Sequence, residues 1–226
     1  MPQQRRWHVF DSPGSLAAAA AAAILAAART AITERGAFHL VLSGGTTPKR
    51  IYETLAAESA DWPHWNIYFG DERCLPADDA ERNSRMAADA WLSRVAIPPA
   101  QIFAIAAERG PAVAAKEYAR TLAGIKLFDL VLLGLGEDGH TASLFPGRFK
   151  VDAVQTVLAV FDAPKPPPGR VSLSARRLSA ARQVIFLVTG SAKAAAVAAW
   201  RSGVAMPASA IQPAAGVDIY LEALLA

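Results

Sequence analysis

Short apolar runs that alternate with longer alanine-rich segments constrain the fold of this chain more than any other feature. The runs have the length of strands, and eight are predicted: Trp7–Phe10, Phe38–Leu42, Asn66–Phe69, Ile102–Ile105, Phe128–Leu133, Thr156–Val160, Val184–Val188 and Ile219–Leu221. Alanine is the best helix former, and helices are predicted over Leu16–Thr33, Lys49–Ala57, Ser84–Val95 and Val113–Ala123. This alternation indicates an α/β protein with a mostly parallel sheet covered on both faces.

Length and composition favour one large domain over residues 1–226. Hydrophobic residues make up 53% of the chain and charged residues 19%, which excludes an intrinsically disordered chain. The one proline-rich stretch, Ala163–Gly169, is too short to separate two domains. We also find no repeat of fixed period.

The N-terminal region predicts neither a signal peptide nor a membrane span. Its most apolar stretch, Leu16–Ala28, follows Asp11-Ser12-Pro13-Gly14, which is typical of a helix start. Arg5 and Arg6 resemble the basic start of a signal peptide, but a predicted strand separates them from the apolar stretch. Cys74, the single cysteine, cannot form an internal disulfide, so a reducing cytoplasmic location is expected.

The charge of the chain suits a small anionic substrate. The net charge is +3, from an excess of 23 basic over 20 acidic side chains. The arginines are scattered rather than arranged in a stripe, which is weak support for nucleic-acid binding. We therefore expect a small-molecule partner, no nucleic acid and no membrane, in a monomer or small homo-oligomer.

The first motif whose residues suit ligand binding is Ser43-Gly44-Gly45-Thr46-Thr47-Pro48, after the second predicted strand. Glycines allow backbone N–H groups to approach a ligand, and Ser and Thr add hydroxyl donors. Thr47 is predicted as the N-cap of the following helix, with Pro48 at its first position. The free N–H groups of such a helix start bind phosphate, although an ordinary capped turn has the same letters. The Walker spacing is absent.

The second motif is Gly70-Asp71-Glu72-Arg73, directly after Asn66–Phe69. Two carboxylates and a guanidinium at the end of a strand suit substrate hydroxyls or a developing charge. A solvated turn with a local ion pair is the alternative. Cys74 beside it is more simply a packed residue than a nucleophile, because no base motif is near it.

The third motif, Phe128–Gly147, reads FDLVLLGLGEDGHTASLFPG and admits two interpretations. Its three glycines spell the G-x-G-x-x-G dinucleotide fingerprint, and Asp162 lies near the distance expected of a ribose-binding acid. However, Glu137 and Asp138 would repel a pyrophosphate, and Pro146-Gly147 interrupts the chain too early for a crossover helix. Dinucleotide binding is therefore disfavoured.

The catalytic interpretation of this motif rests on His140. Histidine titrates near neutral pH and suits a general base, and Asp138 could orient its ring. A fourth pattern supplies cations: Arg170 follows the proline-rich loop, and Lys193 begins a helix after Val184–Val188. A lysine at a helix start favours a bound anion, although a solvated cation is equally compatible.

Taken together, these segments resemble the 6-phosphogluconolactonase family of the pentose phosphate pathway. The resemblance is carried, in order, by SGGTTPKRIYETLA (43–56), NIYFGDERCLPADDAERNSRMA (66–87), residues 128–147, PKPPPGRVSLS (164–174) and MPASAIQP (206–213). It implies a three-layer α/β/α, modified Rossmann-like fold, shared with glucosamine-6-phosphate deaminases and ribose-5-phosphate isomerases. It also implies a cytosolic lactonase that needs neither a metal nor a cofactor.

The resemblance also implies roles for individual residues. His140 is expected as the base that activates water, with Asp138 beside it and with Asp71 and Arg73 beside the sugar ring. The residues expected to hold the substrate phosphate are Ser43, Gly44, Gly45, Thr46, Arg170 and Lys193.

Two other functions remain as alternatives. At the place of the third motif, glucosamine-6-phosphate deaminases have a segment similar to D-G-H-x-A-F-N-E-P, in which a glutamate supports the histidine. Phe145 stands at the position of that glutamate, and a phenyl ring cannot share a proton, which favours the lactonase. A non-catalytic phosphosugar sensor is the second alternative, and the presence of both Asp138 and His140 argues against it.

Overall fold

The computed structural model describes residues 3–148 and 153–226. In these residues, ten strands and six α-helices follow each other. The strands are β1 (Arg5–Phe10), β2 (Phe38–Leu42), β3 (Trp65–Phe69), β4 (Asp71–Arg73), β5 (Ile102–Phe103), β6 (Phe128–Gly134), β7 (Val157–Val160), β8 (Arg170–Leu173), β9 (Ala181–Val188) and β10 (Val217–Glu222). The helices are α1 (Pro13–Arg35), α2 (Thr46–Leu55), α3 (Asn83–Ala90), α4 (Pro111–Thr121), α5 (Ala175–Ser179) and α6 (Ala194–Arg201).

Seven strands form one parallel sheet in the order β1-β10-β9-β6-β2-β3-β5. Successive residues of a strand point to opposite faces, and Val184–Val188 of β9 and Phe128–Leu133 of β6 are buried throughout. Both faces of the sheet are therefore covered. The predicted α/β class with a mostly parallel sheet is confirmed.

Helix α1 shows why the N-terminal region folds onto the sheet. Ser12 and Ser15 form a capping box at its start, Pro13 occupies its first turn, and Gly36 ends it with φ 77°. By length and composition alone α1 could cross a membrane. One face of it is nevertheless buried, including Leu16 and Ile24, and its small alanines allow close packing on the strands and on α2.

A second sheet was not expected. Strands β4, β8 and β7 form a three-stranded antiparallel sheet. Thr156–Val160 was correctly predicted as a strand, but it belongs to this smaller sheet. The sequence predicts no strand over Asp71–Arg73 or Arg170–Leu173, because β4 is short and polar and its pairing partner lies about a hundred residues away along the chain.

Two predicted elements are markedly shorter in the structure. The strand predicted to end at Ile105 stops at Phe103. The helix predicted over Ser84–Val95 ends at Ala90, where Trp91 leaves the helical region with φ −150°. Trp91 is fully buried and packs against Tyr52, Trp62 and Trp65, so tertiary packing overrides the local helical preference.

Candidate active site

The candidate active site lies where neighbouring strands of the parallel sheet end. Strands β9, β6 and β2 are adjacent, so the segments that follow them meet at one edge of the sheet. These segments and residues of the small sheet enclose a cleft of about 310 Å³. The predicted site residues that line it are Ser43, Gly44, Gly45, Thr46, Asp71, Arg73, His140, Arg170 and Lys193.

The glycine loop after β2 leads directly into α2. Gly45 has φ 110°, a conformation that favours glycine. The prediction of Thr47 as N-cap is wrong: α2 begins at Thr46, and Gly45 stands at the cap without a side-chain hydrogen bond. The Thr47 hydroxyl instead contacts that of Thr189 at 2.6 Å, which ties this loop to the loop after β9. The first turn of α2 therefore keeps uncapped N–H groups that can bind an anion.

The second motif divides between the site and the scaffold. Asp71 and Arg73 line the cleft, whereas Glu72, between them on β4, points away and is fully buried. The Glu72 carboxylate accepts hydrogen bonds from the backbone N–H groups of Asn83 and Ser84, each at 2.8 Å. Of the two carboxylates in this motif, only Asp71 is available to a ligand, and Glu72 caps α3.

Cations dominate the lining of the cleft. Arg73 and Arg170 face each other across the β4–β8 ladder, and Lys165 and Lys193 also line the cleft. Burial lowers the pKa of Arg170, and the nearby carboxylate of Asp71 acts in the opposite direction by raising it. Like charges opposite each other in a sheet are destabilising, so this arrangement favours an anion between them.

Two of these cations are held in place by the protein. The Arg170 guanidinium donates to the carbonyl oxygens of Pro166 and Pro167, both at 2.9 Å. This explains why the proline-rich loop borders the site: it orients a buried guanidinium. Lys193 Nζ lies 3.7 Å from Glu137 Oε1, an exposed carboxylate that an anionic ligand could displace.

His140 is held by the loop that follows β6. Its Nδ1 hydrogen-bonds to Asp138 Oδ1, and its backbone N–H donates to the same oxygen at 3.1 Å. Although burial opposes it, the hydrogen bonds from His140 lower the pKa of Asp138. The acceptor at Nδ1 favours the tautomer in which Nε2 carries the free lone pair. Asp138 itself does not line the cleft, and it contacts His140, which does.

Two glycines of the fingerprint make room for side chains. A Cβ on Gly136 would lie 1.9 Å from His140 Nδ1, and one on Gly139 would lie 2.8 Å from Met206 Sδ. No helix occurs between Leu135 and Arg148, so the strand–glycine–helix context of dinucleotide binding is absent from those residues. Phe145 packs against the imidazole with ring centroids 4.9 Å apart.

Sequence reasoning missed Asn83 and Lys165, which also line the cleft. Both lie within segments that carry the family resemblance, but no local pattern indicates that they face a ligand. Cys74 is half-buried, and burial raises the pKa of its thiol, which disfavours a nucleophilic thiolate. Among the described residues, no three His, Cys, Asp or Glu side chains form a group that could hold a metal ion.

Comparison with known proteins assigns the chain to a family. The model of the family described as glucosamine-6-phosphate isomerases/6-phosphogluconolactonase matches residues 11–220. The chain belongs to this family. Within it, a 6-phosphogluconolactonase of Streptomyces coelicolor is 40% identical over 221 residues, which cover 89% of this chain and 83% of that protein. The probable chloroplastic 6-phosphogluconolactonase 3 of rice is 36% identical, and the match covers 63% of its length.

Solved structures of this family share the fold. The 6-phosphogluconolactonase of Trypanosoma brucei superposes with a TM-score of 0.87 at 28% identity, with 98% of each chain covered. A monomeric glucosamine-6-phosphate deaminase superposes with a TM-score of 0.82 at 20% identity, covering 96% of this chain and 97% of that one. The expected fold is confirmed, and fold alone does not distinguish the two activities.

Proposed function

We propose that this protein hydrolyses 6-phospho-D-glucono-1,5-lactone to 6-phospho-D-gluconate, as a 6-phosphogluconolactonase of the pentose phosphate pathway. The observation that carries the proposal is a histidine oriented by Asp138 at the wall of a cleft lined by four cationic side chains. Relatives with 36–40% identity that bear this enzyme name support it. The half-buried, unpaired Cys74 supports a reducing cytosolic location.

In the proposed mechanism the substrate phosphate binds the glycine loop and the N-terminus of α2, together with Arg170 and Lys193. This anchor orients the distant ester bond relative to the catalytic groups, so that their reaction becomes effectively unimolecular. Asp71, whose carboxylate is fixed by Asn83 and Ser143, lies beside the sugar ring and accepts hydrogen bonds from its hydroxyl groups.

His140 Nε2 removes a proton from water, and the resulting hydroxide attacks C1 of the lactone. The C1–ring oxygen bond of the tetrahedral intermediate then breaks, and His140 returns the proton to the departing oxygen. We assign Arg73 as the donor to the oxyanion, because its side chain lines the cleft together with Asp71. The N–H groups of Gly136 and Gly139 are less suitable, since both donate to backbone carbonyls of the loop.

The environment of His140 distinguishes this function from deamination. Phe145 is 3% exposed and covers one side of the imidazole, where the deaminase pattern places a carboxylate. The imidazole is therefore paired with one acid, Asp138, as a simple base for water requires.

The first experiment measures hydrolysis of the lactone above its spontaneous rate, with ammonia release from glucosamine 6-phosphate measured in parallel. We expect lactone hydrolysis and no ammonia. Ammonia release would favour the deaminase, and binding of 6-phosphogluconate without turnover would favour a phosphosugar sensor.

A variant tests the proposed base. His140→Ala should lower kcat by about 10²–10⁴-fold, because general base catalysis contributes an effect of that size. An unchanged kcat would remove His140 from the mechanism. His64→Ala is the matched control, since His64 contacts Asp61 at the surface and lies outside the cleft.

A further inference from the structure

Asn83 occupies an unusual position between two parts of the cleft. It is the first residue of α3, is 4% exposed and lines the cleft. Its backbone N–H is held by the fully buried carboxylate of Glu72, which is itself bonded to the neighbouring N–H of Ser84. The start of α3, and with it the Asn83 side chain, is therefore anchored to β4.

The contacts of Asn83 fix the orientation of its amide. Nδ2 donates to the backbone oxygen of Asp71 at 3.0 Å and to Asp71 Oδ1 at 3.1 Å. Because both partners are acceptors, only the NH₂ group can face them. The carbonyl oxygen Oδ1 consequently faces Gly44 of the glycine loop.

Asn83 and Gly44 are in close contact. A Cβ built on Gly44 would lie 1.9 Å from Asn83 Oδ1 and 2.5 Å from its Cγ. The backbone of Gly44 does not have the positive φ that excludes other residues, unlike that of Gly45. The three nearest obstacles to a side chain at Gly44 are all atoms of Asn83.

The same series of contacts reaches the loop that carries His140. Asp71 Oδ2 accepts a hydrogen bond from Ser143 Oγ at 2.6 Å, and Ser143 is three residues after His140. Asn83, Asp71 and Ser143 are all buried. Their mutual hydrogen bonds favour one geometry, since separating these buried groups would leave donors and acceptors unsatisfied.

We propose that Asn83 is a positioning residue that seats the glycine loop against Asp71 and so sets its distance from the His140 loop. Its amide NH₂ fixes the Asp71 carboxylate, and its carbonyl oxygen defines how closely Gly44 approaches. This inference rests on the proposed function, in which Gly44 belongs to the phosphate site and Asp71 lies beside the sugar.

A double-mutant cycle tests this proposal. Gly44→Ala should raise KM for the lactone by about 10-fold or more, because a displacement of about 1 Å in a binding loop is costly. In the Asn83→Ala background the three atoms nearest to the added methyl are removed, so the same change should cost less than about 2-fold. Asn66→Ala is the matched control: Asn66 is the only other asparagine, at the start of β3 and outside the cleft.

Asn83→Asp provides a second variant that keeps the shape of the side chain. It places a carboxylate against Asp71, and two adjacent carboxylates cannot both ionise easily. We expect a new acidic limb in the pH dependence of kcat/KM, absent from the Asn66→Asp control. Thermal unfolding of each variant shows that it is folded.

Two results would overturn the proposal: an equal effect of Gly44→Ala in both backgrounds, or no effect of Gly44→Ala while Asn83 is present. The proposed function fails separately, if the wild-type protein does not hydrolyse the lactone. In that case the cycle is measured by calorimetric titration with inorganic phosphate, which needs no turnover and gives the same two decisive comparisons.

Discussion

Replacement of Gly136 by alanine tests whether the imidazole position controls catalysis. The new Cβ would lie 1.9 Å from His140 Nδ1, 2.1 Å from its Cε1 and 2.6 Å from its Cγ. Gly136 does not have the positive φ of Gly139, so alanine is compatible with its backbone. The substitution therefore acts on the His140 side chain rather than on the fold.

The structure sets the size of the effect. Non-bonded atoms prefer separations of about 3.5–4.0 Å, so the imidazole must move by roughly 1.6 Å or more. That movement breaks its hydrogen bond to Asp138. A misplacement of about 1 Å can cost about 10²-fold in rate, so kcat should fall by at least about 10²-fold. KM should change by less than about 3-fold, because the cations that hold the phosphate are untouched.

The assay is steady-state lactone hydrolysis, with thermal unfolding measured on the same samples. Gly124→Ala is the matched control, because a Cβ there meets no atom within 4 Å and the backbone is permissive. Retention of wild-type kcat by folded Gly136→Ala would refute the idea that His140 must stay at its observed position. The melting curve distinguishes a loss of kcat in a folded variant from a loss that results from unfolding.

Three further predictions concern charge. Lys193→Ala should raise KM by about 10- to 100-fold, as expected when a charged hydrogen bond is lost; an unaltered KM would remove Lys193 from the phosphate site. Asp138→Asn should lower kcat by about 10²-fold, because an amide no longer selects the productive tautomer of His140; steady-state kinetics measure this. Arg6 and His8 hydrogen-bond to Asp218 and, against the effect of burial, lower its pKa. Asp218→Asn should therefore reduce the free energy of unfolding by about 1–3 kcal/mol at neutral pH. A carboxyl whose pKa is depressed by folding stabilises the protein at pH values above its pKa in the unfolded chain. The difference in free energy of unfolding between wild type and variant should therefore shrink as the pH falls below about 4, which urea titrations measure.

The sequence predicted the parallel sheet because its strands and helices have strong local patterns. It missed the small sheet because β4 contains only Asp71, Glu72 and Arg73, whose polar side chains do not resemble a strand. Pairing with β8 is what makes this segment extended. The early end of α3 at Ala90 has the same kind of cause, since the burial of Trp91 among aromatic rings is decided by distant residues.

Most of the predicted site residues line the cleft, because parallel strands place the residues that follow them at one edge. What could not be predicted is which of these residues touch each other. Glu72 and Asp71 are adjacent in sequence, yet one caps a helix and the other lines the cleft. Asn83 contacts Gly44 across 39 positions, a relation that no local pattern records.

The glycines of this chain illustrate why a glycine fingerprint does not determine function. In dinucleotide-binding proteins such glycines give the pyrophosphate access to the backbone. Here the space at Gly136 is filled by His140, that at Gly139 by Met206 and that at Gly44 by Asn83. The spacing of the glycines is compatible with either use, and the occupant of the missing Cβ position decides between them. Because His140 and Met206 already occupy the spaces at Gly136 and Gly139, a pyrophosphate could not approach the backbone there as it does in dinucleotide-binding proteins.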